Sequence, residues 1–358
     1  MNNLVARIIV FFLLVGPGAL YGQSTYQKPE LNDPESWTIV LLPDVQSYVK
    51  NERNQPILDL MMFWITSNME KLNIQLVLAT GDLVDNNDSA SPDLVKFDQP
   101  GIAQWEAVSR SFDKLNGKLP YITATGNHDY SYAGMQKKNS GFKDHFPANK
   151  NFLNQKIMRA AFPNTEGIPT AENAIFEFTS PNDEKYLVVN IEFGPRDTVV
   201  QWAHKIVNQK KYKDHRIILL THSYLSSNNQ RITKSNYPVA DKNEGEAIWQ
   251  KLVQSTPNIE LVVCGHIASP DDFKKHTGFC TDKNNAGKNV HQMLFNAQAL
   301  GGGWHGNGGD GWLRILEFLP DGKTVKVKTF SPLFAISPTT QQYAWEKAAY
   351  NEFEFKFD

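Results

Sequence analysis

Trp37-Thr38-Ile39-Val40-Leu41-Leu42 runs directly into Pro43-Asp44-Val45-Gln46, so six consecutive apolar or β-branched residues end at a proline, a carboxylate and an amide. A run this short, closed by a turn signal, reads as a strand buried on both faces rather than a helix. The same phrase recurs at Leu76 to Thr80 before Gly81-Asp82-Leu83-Val84-Asp85 and at Tyr121 to Thr125 before Gly126-Asn127-His128-Asp129. It returns at Arg216 to Thr221 before His222 and at Ile259 to Cys264 before Gly265-His266, and Tyr186 to Ile191 is a sixth such run. Stretches of helical period lie between them, at Pro56 to Leu72, Gln104 to Leu115, Thr198 to Asn208 and Glu244 to Gln254. Pro56 suits a first helical turn, where its missing N–H is not needed. Alternation of this kind predicts an α/β fold.

Beyond Cys264 the texture changes to strands without helices, at Val290 to Ala297, Trp312 to Leu319 and Thr324 to Phe330. Pro320-Asp321-Gly322-Lys323 makes the last two a hairpin. Residues 130–173 show no clean period and read as a long insertion. The expected organisation is a leader over 1–22, a linker over 23–35, a domain over 36–331 and a C-terminal extension over 332–358 packed on it.

Each polar cluster follows the carboxyl end of a predicted strand, the edge where open α/β sheets gather their ligands. Carboxylates, imidazoles and amide oxygens in one place are donors for a divalent cation of intermediate hardness. The absence of Cys from the set points away from structural zinc and iron–sulfur chemistry.

The order Asp44-x-Gln46, Gly81-Asp82-x-x-Asp85, Gly126-Asn127-His128-Asp129, His222, Gly265-His266 resembles the calcineurin-like metallophosphoesterase superfamily, and the phrases around Asp44, His222 and Gly311-Trp312-Leu313-Arg314 resemble a secreted bacterial branch of it. The resemblance implies two facing mixed β-sheets flanked by helices, a four-layer α/β/β/α sandwich. It implies a phosphomonoesterase or phosphodiesterase that uses divalent metal ions (Mn, Mg, Fe or Zn) and a hydroxide they generate. By resemblance Asp82 bridges two cations, Asn127, His222 and His266 complete one of them, and Asp44 with Gln46 belongs to the other. His128 assists the leaving group, Asp129 fixes its tautomer, and Asp85 supports the ligands from behind.

Two positions depart from the family pattern. Where it has D-x-H this chain has Gln46, and where it has G-H-x-H this chain has Ala268, so both lost imidazoles belong to the same cation. That site is expected to be weaker and biased toward harder ions. Asn296, Gln298, His305 and Asp310 are the candidate replacement donors, while Tyr48 and Tyr224 are candidate pocket walls. The glycine-rich stretch 301–311 reads as a lid or substrate loop. The alternative is a degenerate relative that binds phosphate or a phosphorylated glycan with one metal and does no chemistry.

Composition narrows the partners. The 358 residues are 41% hydrophobic and carry a net charge of −2, so a polyanion-binding footprint is missing and no standing nucleic-acid partner is expected; a small phosphate ester is the expected substrate. Arg7 followed by the apolar run Ile8 to Val15 reads as an export signal and is too short to span a bilayer, which predicts a periplasmic or extracellular protein without a transmembrane segment. No feature of the sequence sets an oligomeric state. Cys264 and Cys280 form no disulfide framework and stand either as a pair or as separate thiols.

Overall fold

Strands buried on both faces need a layer on each side, and their side chains divide accordingly. In β1 (Trp37–Leu42) Trp37, Ile39 and Leu41 join one apolar cluster, while Val40 and Leu42 join another. The structure, a computed structural model, describes residues 26–93 and 95–358. The expected leader over 1–22 therefore lies outside the described residues.

Among the described residues there are fourteen strands in chain order, β1 included. After β1 come β2 (Ile74–Ala79), β3 (Tyr121–Thr123), β4 (Met158–Pro163), β5 (Pro169–Thr179), β6 (Lys185–Asn190) and β7 (Arg216–Leu220). Then come β8 (Ile259–Cys264), β9 (Thr277–Lys283), β10 (Asn289–Phe295), β11 (Leu313–Phe318), β12 (Thr324–Phe330), β13 (Trp345–Glu346) and β14 (Phe353–Lys356). One sheet has the order β13-β12-β11-β1-β2-β3, with β14 also on β12; the other runs β4-β5-β6-β7-β8-β10-β9. Within them β1, β2 and β3 are parallel, as are β6, β7, β8 and β10, so two sets of carboxyl ends are available to build a site.

The sheets face each other across a shared core of Trp37, Ile39, Leu41, Leu78, Val188, Leu220, Val263 and Phe295. Helices Gln55–Asn68 and Gly101–Phe112 cover the outer face of the first sheet, and Asp197–Val207 with the turns from Gly245 to Val253 covers the second. This is the expected four-layer sandwich. Among the described residues no helix is long and apolar enough to cross a membrane.

Three expectations change. The stretch 130–173 is not an excursion from the domain: it supplies β4 and the start of β5, the edge of the second sheet. Its strands escaped notice because Pro163 and Pro169 and exposed polar residues interrupt the apolar pattern, as edge strands permit. The C-terminal residues 332–358 do more than pack on the domain, since β13 and β14 pair with β12 and complete the first sheet. The segment Glu244 to Gln254 begins as an α-turn and widens into a π-helical turn at Trp249–Val253. Cys264 and Cys280 are free thiols, on β8 and β9 with β10 between them.

Trp37 sits at the seam, fully buried, stacked on Phe318 at 4.1 Å and edge-on to Tyr186 at 5.3 Å. Trp37→Ala is expected to lower stability by about 3–5 kcal/mol, because the surrounding strands cannot close the void. A shifted denaturant midpoint at unchanged slope checks this, and a loss below about 1 kcal/mol would show that the seam repacks.

Candidate metal centre

The carboxyl ends of the two parallel sets converge, and the residues predicted from them meet. Asp44, Gln46, Asp82 and Asn127 come from the first sheet's strand ends, His222 and His266 from the second's, and all except the half-buried His266 are buried. His222 donates its Nδ1 hydrogen to the Thr80 carbonyl at 2.8 Å, which fixes the tautomer and leaves Nε2 for the site. Around that Nε2 lie Asn127 Oδ1 at 3.2 Å, His266 Nδ1 at 3.2 Å and Asp82 Oδ2 at 3.3 Å. Ligand atoms of Asp82, His222 and His266 all fall within 4.8 Å of one another. Two nitrogens and two oxygens so placed suit a divalent cation.

Asp44 lies beside this group, 3.8 Å from His222, and its carboxylate joins the sheets. It accepts from the Thr80 hydroxyl at 2.9 Å on one side and from the His266 N–H at 3.0 Å and Asn296 Nδ2 at 2.6 Å on the other. The motif glycines make room for the two acids. A Cβ on Gly265 would stand 2.2 Å from Asp44 Oδ1, and one on Gly126 would stand 2.1 Å from Asp82 Oδ1. Asp82 and His266 themselves take left-handed backbone, with φ of 49° and 74°, conformations that non-glycine residues adopt rarely and that gather at functional sites.

Electrostatics follow from burial. Loss of water and the nearby Asp82 charge raise the Asp44 carboxyl to about 7, although His222 opposes them. Burial also works against ionised Asp82, but His222, His128 and His266 outweigh it and hold that carboxyl well below the usual range. For His222 burial favours the neutral ring, and Asp82 with Asp44 overrides it, raising the imidazole to about 9. Burial and the neighbouring His222 push His266 down to about 3. The cluster thus demands positive charge, and a proton on His222 supplies it when a cation does not.

The open cleft above these residues is lined by Gln46, Ser47, Asp82, Asp85, Asn127, His128, Tyr237, His266, Gln298 and Trp304. His128 belongs to it as predicted, with its backbone N–H on Asp82 Oδ1 at 2.9 Å and its Nδ1 donating to the Asp85 carbonyl at 2.8 Å. The Asp85 carboxylate pairs with buried Lys50 at 3.5 Å.

Several expected roles change. Asp129 does not orient His128: its carboxylate accepts the backbone N–H groups of Leu83, Val84 and Gly126, binding the loop after β2 to the loop after β3. Tyr48 is fully buried, and its hydroxyl accepts the Gly311 N–H at 3.0 Å, so it anchors the glycine-rich loop from beneath instead of lining the pocket. Tyr224 is likewise buried behind the sheet, donating to Gln292 at 3.1 Å. His305 is exposed and outside the cleft, where its carbonyl accepts from Arg53. Asp310 turns to Asn307. The loop carrying them is pinned at several points rather than free, and it contributes Trp304 to the cleft.

Tyr237, Trp304 and Phe193 are additions that motif reading did not find. The Phe193 ring lies 5.7 Å from that of His222 and 6.0 Å from that of His266, and Tyr237 lies 5.5 Å from His266. Phe193 follows the end of β6, so the strand-end rule would have reached it had aromatic residues been counted with polar ones.

The model of the calcineurin-like phosphoesterase family matches residues 38–270, a span that begins in β1 and closes just after His266. The chain belongs to this family. Its domain is accordingly of the metallophosphoesterase kind. The chain is also 28% identical over 301 residues to an uncharacterized protein of Bacillus subtilis strain 168, YvnB, a match over 83% of this chain and 20% of that protein. It thus spans about a fifth of the length of that relative. Among solved structures it is similar to a dimetal phosphatase from Danio rerio, with 12% identity, a TM-score of 0.49 and coverage of 91% of this chain and 100% of that one. It is also similar to the Plasmodium inner-membrane-complex anchor GAP50, with 13% identity, a TM-score of 0.46 and coverage of 90% and 89%.

Because His222 and Asp44 must both be free of protons to act as ligands, uptake of a divalent cation at pH 7 is expected to release about one to two protons per chain. Affinity then rises with pH and levels off near the His222 value of about 9. Calorimetry in two buffers of different ionisation enthalpy measures the release, and binding that strengthens on acidification would contradict it.

Proposed function

We propose that this protein is an exported, metal-dependent phosphoric-ester hydrolase in which His128 assists the leaving group. The observation that carries the reading is the placement of His128, on the same cleft as the Asp82–Asn127–His222–His266 donors and bonded through its backbone to Asp82. Divalent cations at those donors would supply Lewis-acid polarisation of the phosphoryl group and a readily ionised water. Two ions per chain, the one at Asp44 and Gln46 weaker, is the occupancy that the donor sets favour.

The chain's own groups do the rest. With Nδ1 committed to the Asp85 carbonyl, the exchangeable proton of His128 is on Nε2. Burial disfavours its charged form, but Asp82, Asp85 and Asp129 surround the ring with negative charge and raise its pKa above the ordinary histidine value. A shift in that direction favours the imidazolium, the form suited to donating to a departing alkoxide. That reading also weighs against a pure binding protein, which has no use for such a proton.

Among the described residues those lining the cleft include two carboxylates and neither lysine nor arginine. A phosphomonoester carries nearly two negative charges at pH 7 and a diester one, so the lining favours the diester. Tyr237 and Trp304 offer ring faces to a planar or sugar-bearing ester group. Export is supported by Arg7 and the apolar run Ile8 to Val15.

With Mn²⁺ the wild-type protein is expected to hydrolyse bis(p-nitrophenyl) phosphate with kcat/KM at least about tenfold above that for p-nitrophenyl phosphate. His128→Ala should lower kcat about 10²–10⁴-fold with little change in KM. A variant as fast as wild type removes His128 from the chemistry, and no turnover of either ester with any divalent ion removes the hydrolase reading.

A further inference from the structure

We propose that Gln298, with Gln46, replaces by amide oxygens the two imidazoles that the family pattern gives one of its cations, so that the site beside Asp44 is built from oxygen alone. The inference rests on the metal-dependent reading above and extends it to a ligand outside the family motifs.

Two buried oxygens point to it. Gln46 is 2% exposed and Gln298 5%, both line the cleft, and the Oε1 of each is buried without a hydrogen-bond partner. An unpaired amide oxygen away from water is costly, and native structures rarely keep one without a bound group to satisfy it. Two in one cleft, next to a pair of carboxylates, are matched by a cation. The amide nitrogens are already occupied: Gln46 Nε2 donates to Asp82 Oδ2 at 3.0 Å and Gln298 Nε2 to Asp44 Oδ2 at 3.5 Å.

Topology explains why Gln298 is the substitute. β8 and β10 run parallel with Leu294 opposite Cys264. The segments that leave these two strands therefore emerge at the same sheet edge, one carrying His266 and Ala268 and the other Asn296 and Gln298. Asn296 is the positioning residue: its Nδ2 holds Asp44, and its Oδ1 accepts the backbone N–H groups of Ala297 and Gln298, which uses up that oxygen and sets the turn carrying Gln298. His305 and Asp310 lie outside the cleft lining, so of the four candidate donors only Gln298 keeps a buried oxygen free.

Carboxylate and amide oxygens are hard donors suited to Mn²⁺, Mg²⁺ or Ca²⁺, whereas the imidazoles of His222 and His266 bias the neighbouring site toward softer borderline ions. One domain thus presents two neighbouring sites of different hardness.

The test is titration of the metal-free full chain with Mn²⁺ alone, followed by calorimetry and by the Mn²⁺ paramagnetic resonance signal. Wild type is expected to bind two ions per chain. Gln298→Ala should weaken the looser ion about 10–100-fold while leaving the tighter one unchanged, and Gln298→Glu should retain both. The ratio of Zn²⁺ to Mn²⁺ affinity should be smaller at the looser site than at the tighter one. Thermal melting of the metal-free protein separates ligation from packing: Gln298→Ala should melt like wild type without metal and lose part of the Mn²⁺-induced rise. Should that variant fail to fold, Gln298→Asn, one methylene shorter, is read in the same way. Uptake of a single ion by wild type, identical titrations for wild type and Gln298→Ala, or loss of both ions overturns the proposal. Turnover plays no part in these readouts, so they stand or fall independently of the hydrolase assay.

Discussion

Two buried carboxylates, Asp44 and Asp82, stand where the strand ends of two sheets meet, and much of the molecule is arranged around their charge. Isolated buried anions are prohibitively costly, so such groups survive only with hydrogen bonds, opposite charge or metal ions. Here hydrogen bonds and the His222 imidazole compensate the pair. Asp44 draws its donors from both sheets, and Asp82 holds Gln46 from the first sheet and lies against His222 from the second. The same contacts that compensate the acids keep the strand ends at ligand distance, which makes the seam and the metal centre a single construction.

The price of that construction falls on the backbone. Gly126 and Gly265 are required because any Cβ would occupy the space of a carboxylate oxygen. Asp82 and His266 take left-handed conformations that turn their side chains in immediately after a strand. Asp129 spends its whole carboxylate on three backbone N–H groups, which would otherwise have lacked partners in the tight loops that carry Asp82 and Asn127. A residue that motif reading assigns to proton chemistry therefore acts by holding two ligand loops in register, while the orientation of His128 comes from a carbonyl, a group that every residue has and no motif records.

This difference explains how far the sequence could be read. The core strands were legible because β1 is an unbroken apolar run buried on both faces, β8 is one broken only by Glu260, and β12 alternates apolar residues with lysines; all three fall where the pattern predicts them. Four edge strands were not, since β4, β9, β13 and β14 each have partners on one side only and tolerate polar residues and proline on the other, whereas edge strand β3 was legible because its residues are all buried. The metal-ligand candidates were legible because chemistry restricts their type and topology restricts their place. Tyr48 and Tyr224 misled because a tyrosine two residues beyond a ligand can turn either into the cleft or back into the core, and alternation at a strand end does not extend into the loop. Gln298 was visible only as one donor among four, for its qualification is a lack of partners, which a sequence does not display.

The walls of the cleft are fixed as firmly as its floor, and from opposite directions. On one side the fully buried Tyr48 ring supports the glycine-rich loop, with Gly308 so close that a Cβ there would stand 2.6 Å from the ring, and its hydroxyl takes the Gly311 N–H. Trp304 is thereby presented from a loop whose base is anchored two residues from Gln46. On the other side Lys138, from the segment after the Gly126-Asn127-His128-Asp129 phrase, reaches Glu192 at 2.6 Å and the carbonyls of Phe193 and Gly194 at 3.0 and 2.7 Å, all within the protein interior. A buried ion pair of this kind adds little net stability relative to apolar packing, but removing one partner strands the other. Its effect here is positional: it holds Phe193 against the rings of His222 and His266, and Tyr237 packs on both Phe193 and His266. The cleft walls and the candidate ligands therefore share their supports, and removing one partner of the Lys138–Glu192 pair would disturb the fold and the ligand set together.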